Sequence, residues 1–520
     1  MSLLRAFPQV CIALGFRDPA KLIQHAEDEL AAGEVFFEFR LDYLERPLEG
    51  VKALKKFMAE HSECSVLATC RRRQNHGQFT GSLEEQLTIL QAAADAGAKA
   101  LDMEIESAEA VGTGAEVLRR VAPLVVSYHN FEGTPALTTV LRRLEKVPAD
   151  AYKIVTTARK PSDNFRVLSL GQIPSRVPLI LLAMGEIGFP TRVLSLLFGG
   201  LFTYAAPRTA EGTAAGQVSA KQLRQLYRVG KLTRSAKIYG VIADPVRHSI
   251  SPAVLNRAFQ ARRINAVYLP FRVPPAYLRD FMEMADKLPV TGFSVTIPHK
   301  QKILRYLDVV EPLARRIGAV NTVWRKAGKW RGANADVAGV MRPLERYLRV
   351  AKSTVLIAGN GGAARSAAFA LAEAGAKVFI VGRNPDRVRA LARACGATPL
   401  NREELGSCYF DVLIHATPLG MYPRVNECFF GGQIPADVVF DMVYNPVETL
   451  LIRRAREQGK TVLPGIQMFL EQAARQFEIW SGESAPRTAM ERAAWEALTS
   501  YVQTQEESDK RFETEVITPA

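Results

Sequence analysis

Apolar, β-branched runs recur along residues 1–218 with polar stretches between them. They are VCIALGF from Val10, EVFFEFR from Glu34, CSVLATC from Cys64, ALDMEI from Ala100, PLVVSYH from Pro123, AYKIVTT from Ala151, PLILLAMG from Pro178 and LFTYAAP from Leu201. Each has the length of a buried strand. Amphipathic patterns such as AKLIQHAEDELAAG and SLEEQLTILQAAADAG lie between them, each closed by a glycine where a helix C-cap belongs. Eight alternations of strand and helix predict a (β/α)8 barrel, whose chemistry collects at the C-terminal ends of the strands. Residues 219–236 read as the last barrel helix passing into a short basic linker. Beyond them the pattern is α/β again, with one long excursion. A catalytic domain is expected over 237–340 and 463–504, a nucleotide-binding domain over 341–462, and a disordered polar tail over 505–520.

Composition narrows the class. The chain has 520 residues, 48% of them hydrophobic and 23% charged, with mean hydropathy −0.02. At roughly 100–200 residues per domain this is several domains. No run approaches the ~18 apolar residues of a membrane span. The start, MSLLRAFPQVCIALGF, reads as a first strand and not a signal peptide. The net charge is +14, but the Lys and Arg residues are spread along the chain. That fits an enzyme acting on carboxylates and phosphates, and not a nucleic-acid binder. The six cysteines show no C-x-x-C spacing. They point to free thiols in a reducing cytoplasm, with no metal site.

At the ends of the barrel strands stand Glu38, Arg40, Arg71, Glu104, His129 and Arg192. His129 is placed as a base with Glu104 as its orienting carboxylate, and the arginines suit a carboxylate-bearing substrate. Lys153 sits inside the apolar run AYKIVTT. A buried lysine is either salt-bridged or neutral, and a neutral amine attacks carbonyls to form a Schiff base. The residues alone leave both open. The segments EFRLDYL, LATCRR, LDMEIE, SYHNFEGTP, YKIVTTA, the arginine of PTRVLSLLFGG and GTAAGQVSA resemble, in order, the type I 3-dehydroquinate dehydratases. The resemblance implies an imine on Lys153, proton transfer by His129 beside Glu104, and substrate binding by Glu38, Arg40, Arg71, Arg192, Thr213 and Gln217. The family often has Ser and Pro where this chain has Thr213 and Ala215.

In the second half, STVLIAGNGGAARSAAFALAEAGAKVFIVGR is a strand, a Gly-rich turn, a helix and a second strand. Gly359, Gly361 and Ala364 satisfy G-x-G-x-x-A in the context that binds a dinucleotide pyrophosphate at a helix N-terminus. Gly362 and Ala363 in the same turn, and Thr417 in ATPLGM, are further expected cofactor contacts. About 20 residues on, an acid would select NAD, but Arg383 and Arg387 occupy that region, so the expected cofactor is NADP.

HSISP, SVTIPHK, GAVNT, GANADVAG, the Gly-rich turn, ATPLGM, DMVYNP and PGIQMFLEQAA occur in the order seen in shikimate dehydrogenases. This resemblance implies a catalytic pair, Lys300 and Asp336. It implies substrate contacts from Ser249, Ser251, Thr296, Asn321 and Gln472, with Tyr444 a further candidate. Ser251 also reads as a helix cap ahead of Pro252. The chain departs from that family's pattern at Ser294, Ala335, Gly382 and His415. The two resemblances imply consecutive reactions, from 3-dehydroquinate to 3-dehydroshikimate and on to shikimate. The implied partners are these small molecules, without nucleic acid or membrane. A Schiff-base aldolase barrel and a degenerate second half that only binds are the other readings.

Overall fold

The computed structural model describes residues 3–208, 212–247 and 249–499. The expected tail, 505–520, lies outside the described residues. By mutual contact, residues 1–237 with 265–289 form one unit, and residues 238–264 with the chain from 290 onward form the other.

The first unit is built on eight parallel strands. These are β1 (Val10–Leu14), β2 (Phe36–Arg40), β3 (Ser65–Thr69), β4 (Ala100–Glu104), β5 (Leu124–His129), β6 (Ala151–Thr157), β7 (Leu179–Met184) and β8 (Thr203–Ala205). From β1 to β7 each pairs with its neighbour in sequence, and β1 also pairs with β8. Leu201 N donates to Leu179 O at 2.7 Å, bringing β7 to the start of β8. All eight predicted runs are strands, and the sheet closes as a barrel. The helices between them begin and end on the expected signals. Ser82 and Glu85 form a capping box on the helix Leu83–Asp95, and Gly97, at φ +101°, ends it.

Side chains alternate along a strand, so every second residue faces the barrel interior. The layer formed by Phe36, Leu67, Ala100, Val125 and Ala151 is wholly apolar and buried. Two residues further along each strand the interior turns polar, with Glu38, Thr69, Asp102, Ser127 and Lys153, all buried. The apolar layer holds the fold, and the polar one lies toward the mouth. The stretch 219–236 packs on this unit: Leu223 is buried, and Arg224 grips the Glu34 carboxylate with bonds of 2.9, 3.0 and 2.9 Å.

The next six strands along the chain are β9 (Lys237–Ala243), β10 (Ala266–Arg272), β11 (Val290–Val295), β12 (Val309–Val310), β13 (Thr322–Lys326) and β14 (Lys329–Ala333), and those of the second unit lie in the spatial order β9-β11-β13-β14-β12. A second sheet holds β15 (Thr354–Ala358), β16 (Lys377–Val381), β17 (Thr398–Pro399), β18 (Phe410–His415), β19 (Ala436–Asp441) and β20 (Thr461–Leu463), all parallel in the order β17-β16-β15-β18-β19-β20. The order reverses at β15, the switch point at which open α/β sheets bind ligands. The helix Gly465–Ser481 returns to the first of these sheets. Its Trp480 Nε1 donates to Val323 O at 3.1 Å, and its Gln476 Nε2 donates to Asn321 O at 3.0 Å.

Candidate active sites

The barrel mouth encloses a cavity of about 180 Å³ lined by Glu38, Arg40, Arg71, His129, Lys153, Arg192, Thr213 and Gln217 among others. Eight of the nine sequence-predicted residues therefore converge on it. Lys153 is buried and donates to Glu38 Oε1 (3.2 Å), Asp102 Oδ2 (3.1 Å) and the Tyr204 hydroxyl (2.8 Å). Each carboxylate is held from its other side: Thr69 Oγ1 donates to Glu38 and Ser127 Oγ to Asp102, both at 2.8 Å. Arg71 stands 3.7 Å from Asp102. Burial pushes the Asp102 carboxyl up, but Lys153 and Arg71 outweigh it and hold the group below its ordinary range. Asp102 and Tyr204 were not singled out from sequence. The period-2 register between Asp102 and Glu104 carries a signal for the first, since both face inward.

Glu104 is placed otherwise than expected. It does not line the cavity. Its carboxylate accepts from Arg72 N (3.1 Å), Asn75 Nδ2 (3.0 Å), Ser107 Oγ (2.9 Å) and Gln86 Nε2 (2.9 Å). These donors use its acceptor capacity, and among the described residues it makes no bond to His129. It anchors the loop after β3 instead. His129 Nδ1 is buried and, among the described residues, has no hydrogen-bond partner. Burial first, then Arg71, Lys153, Arg40 and His76, push the His129 pKa well below its ordinary value. At neutral pH its ring is therefore the free base.

Arg40 is clamped by Asp42 through bonds of 2.9 and 2.7 Å and stacks on Tyr43. Arg192 differs from it. It is 2% exposed, and among the described residues its Nε has no partner and its one bond is to the carbonyl of Ala215 at 3.1 Å. Burial pulls its pKa down to about 10. A buried guanidinium without a counter-charge is poised for an anion from outside.

In the second unit, Lys300 Nζ donates to Asp336 Oδ2 at 2.5 Å. Lys300 lies just beyond β11, and Asp336 opens the helix Asp336–Glu345. Asn321 ties them to the rest of the site. Its Nδ2 donates to Asp336 Oδ1 (2.7 Å) and Gln472 Oε1 (3.4 Å), while its Oδ1 accepts from Ala335 N (2.7 Å). Thr296 and Ser249 lie in loops leaving the same end of the paired strands β9 and β11, and Ser251 opens the helix Ser251–Ala261 just after the β9 loop. Ser251 is the first residue of its helix and not its side-chain cap; the Ser249 hydroxyl accepts from Ser251 N at 3.3 Å instead. Tyr444 packs against Phe469, with ring centroids 5.1 Å apart.

Three of the four departures from pattern, at Ser294, Ala335 and His415, have local explanations. Ser294 Oγ donates to Gln476 at 2.8 Å. At Ala335 the loop is held through the backbone, and Asn334 Oδ1 accepts from Asp336 N at 3.1 Å. His415 is buried between Asp441 and Thr417.

The Gly-rich turn suits a dinucleotide. Gly359 has φ +131°, and a Cβ there would stand 2.7 Å from Ala416 O. A Cβ on Gly361 would meet nothing within 4 Å, which leaves space above the N-terminus of the helix Gly362–Glu373. A Cβ on Gly362 would lie 3.5 Å from Lys300 Cδ, so the turn and Lys300 are neighbours. Ala363 is the second residue of this helix, and Ala364 is buried beneath it. Arg383 and Arg387 are exposed after β16 and have no ion pair among the described residues. Open backbone donors and two free guanidinium groups fit a pyrophosphate and a 2′-phosphate.

Family models match along most of the chain. Residues 10–233 match the type I 3-dehydroquinase model, and 241–323 match the shikimate dehydrogenase substrate binding domain. Residues 344–420 match the shikimate/quinate 5-dehydrogenase model, and 465–494 match the shikimate 5′-dehydrogenase C-terminal domain. The chain is 34% identical over 502 residues to the chloroplastic bifunctional 3-dehydroquinate dehydratase/shikimate dehydrogenase of Arabidopsis thaliana, covering 90% of this chain and 80% of that one. It is 38% identical over 250 residues to the shikimate dehydrogenase (NADP(+)) of Maridesulfovibrio salexigens, covering 47% of this chain and 92% of that one. A crystal structure of shikimate 5-dehydrogenase from Thermus thermophilus with NADP(H) and shikimate matches at 32% identity and TM-score 0.48, over 50% of this chain and all (100%) of that one. With a barrel of one family and a dinucleotide enzyme of the other on one polypeptide, the chain belongs to the bifunctional 3-dehydroquinate dehydratase/shikimate dehydrogenases.

Proposed function

We propose that the chain dehydrates 3-dehydroquinate to 3-dehydroshikimate in its barrel and reduces that product to shikimate with NADPH in its second unit. One observation carries most of this reading: a buried lysine, a histidine kept as free base and an uncompensated arginine line one cavity. Passing one ammonium proton to Glu38 or Asp102 frees the Lys153 lone pair. The amine then attacks the ring ketone, and loss of water leaves an iminium. The iminium acidifies the adjacent C2 protons. His129 takes one of them and returns it to the departing C1 hydroxyl, which leaves as water. Hydrolysis of the iminium restores the amine, so the net change is loss of one water. Arg192 receives the substrate carboxylate, while Arg40, Arg71, Thr213 and Gln217 position the ring. Glu104 acts at one remove, by holding the loop after β3.

In the second unit NADPH, held at the Gly-rich turn, would supply the hydride when bound. Lys300 gives a proton to the carbonyl oxygen, and Asp336, held by Asn321, keeps the lysine oriented. Ser249, Ser251, Thr296, Gln472 and Tyr444 are the proposed substrate contacts. Gly359, Gly361, Gly362, Ala363 and Ala364 form the pyrophosphate cradle, Thr417 borders it, and Arg383 and Arg387 take the 2′-phosphate. Among the described residues no helix is long and apolar enough to cross a membrane. A cytoplasmic setting remains our proposal, supported by six free cysteines. Enone absorbance should appear with 3-dehydroquinate alone, and NADPH should be oxidised on adding 3-dehydroshikimate. Absence of either signal overturns the corresponding half.

A further inference from the structure

His415 ends β18 and sits in register with Asp441 on β19 and with Ala358 on β15. It therefore stands at the switch point of the nucleotide-binding sheet. Its side chain is 1% exposed and that of Asp441 is fully buried. His415 Nδ1 lies 2.9 Å from Asp441 Oδ1. That oxygen also accepts from Val443 N at 3.0 Å, and Oδ2 accepts from the Thr449 hydroxyl at 2.6 Å. The carboxylate is thus an acceptor on every side, and the histidine proton belongs on Nδ1. With the ring proton on Nδ1, the Nε2 lone pair faces Thr417 Oγ1 at 2.5 Å. The hydroxyl proton of Thr417 must point at His415. Its oxygen accepts from Leu419 N at 3.3 Å, and a hydroxyl has two acceptor positions, so one remains. Thr417 is half-buried and two residues past the strand. The intervening Ala416 is the residue against which Gly359 of the dinucleotide turn is pressed.

We propose that His415, braced by Asp441, is a positioning residue that makes Thr417 a pure hydrogen-bond acceptor toward the dinucleotide. The matching ligand group is a donor, either a ribose hydroxyl or the carboxamide NH2, and not a phosphate oxygen. This rests on the dehydrogenase reading above. It also gives His415 a task that differs from filling space: it sets the direction of one hydroxyl in the cofactor site.

The test uses the full-length chain and the dissociation constant for NADP+ measured by titration calorimetry. Thr417→Val should weaken binding about tenfold, the usual effect of a buried polar partner left unpaired, while Thr417→Ser should stay within about twofold of the wild type. His415→Asn should weaken binding in the same direction. The 3-acetylpyridine analogue of NADP+, which lacks the NH2, separates the sources. A Thr417→Val penalty that persists with the analogue assigns the ribose hydroxyl, and one that vanishes assigns the carboxamide. In parallel, 15N NMR of the ligand-free protein should show His415 protonated at Nδ1 alone. Wild-type affinity in Thr417→Val, or a proton on His415 Nε2, overturns the inference. A wild-type chain that fails to bind NADP+ instead overturns the dehydrogenase reading beneath it.

Discussion

At the residue scale, the barrel site is an arrangement of charges that are expensive to bury. Arg192 is the clearest case. Its pKa of about 10 corresponds to roughly 3 kcal/mol of strain on the folded state, since each pKa unit is ~1.4 kcal/mol. The cost is present at neutral pH and is relieved as pH rises through about 10. Arg192→Met should therefore raise the melting temperature while removing dehydratase turnover, a stability–function trade-off visible by calorimetry and enone assay. A melting temperature below wild type would count against it. His129 shifts in the same direction, in a lower pH window. Its folded pKa lies below the ordinary histidine value, so its contribution is full above about 6.5 and is lost as pH falls below that value. Denaturant melts between pH 7 and 5 should show a steeper loss of stability in wild type than in His129→Gln. That Lys153, Arg192 and His129 meet at one barrel mouth was legible from their strand positions, while the residues alone left the task of Lys153 open. The destination of the Glu104 carboxylate was not. An inward-facing acid two residues from Asp102 reads as a catalytic partner, and only the tertiary contacts reveal that four donors reach it first, two from the loop after β3 and two from helices.

At the scale of elements, the Gly-rich turn separates conformational need from ligand space. Gly359 is required by the fold. A side chain there would take a left-handed φ of +131° and collide with Ala416 O at 2.7 Å. Strain of this kind is worth about 1–3 kcal/mol, so Gly359→Ala should lower the melting temperature even without cofactor. Gly361 is different, because its Cβ would meet no protein atom and its φ is −78°. Gly361→Ala should melt like wild type and yet bind NADP+ more weakly, as read by calorimetry. Equal melting temperatures for the two variants would contradict this distinction. From sequence the two glycines looked alike, as members of one motif. Their difference comes from the end of β18, more than fifty residues downstream, which puts Ala416 against only one of them.

At the scale of the whole molecule, two sets of chemistry share one chain. Lys153→Ala should leave NADPH oxidation with 3-dehydroshikimate intact and abolish borohydride trapping of 3-dehydroquinate. Lys300→Ala should convert 3-dehydroquinate to the enone and stop there, with no NADPH consumed. Loss of both activities in either variant would show that the sites are not chemically independent.

The repeat of strand and helix, the Gly-rich turn and the order of the motifs are local properties, and the barrel, the nucleotide-binding sheet and the family all follow from them. Periodicity needs only neighbouring residues, and a motif needs only its own spacing. Which buried groups answer one another is a matter of tertiary contact. Lys153 meets Asp102 from 51 residues away and Glu38 from 115, and His415 meets Asp441 on the adjacent strand from 26. The physical reason is that a buried charge is compensated by whatever the fold brings within hydrogen-bond distance, and that distance is set by strand register and not by position along the chain.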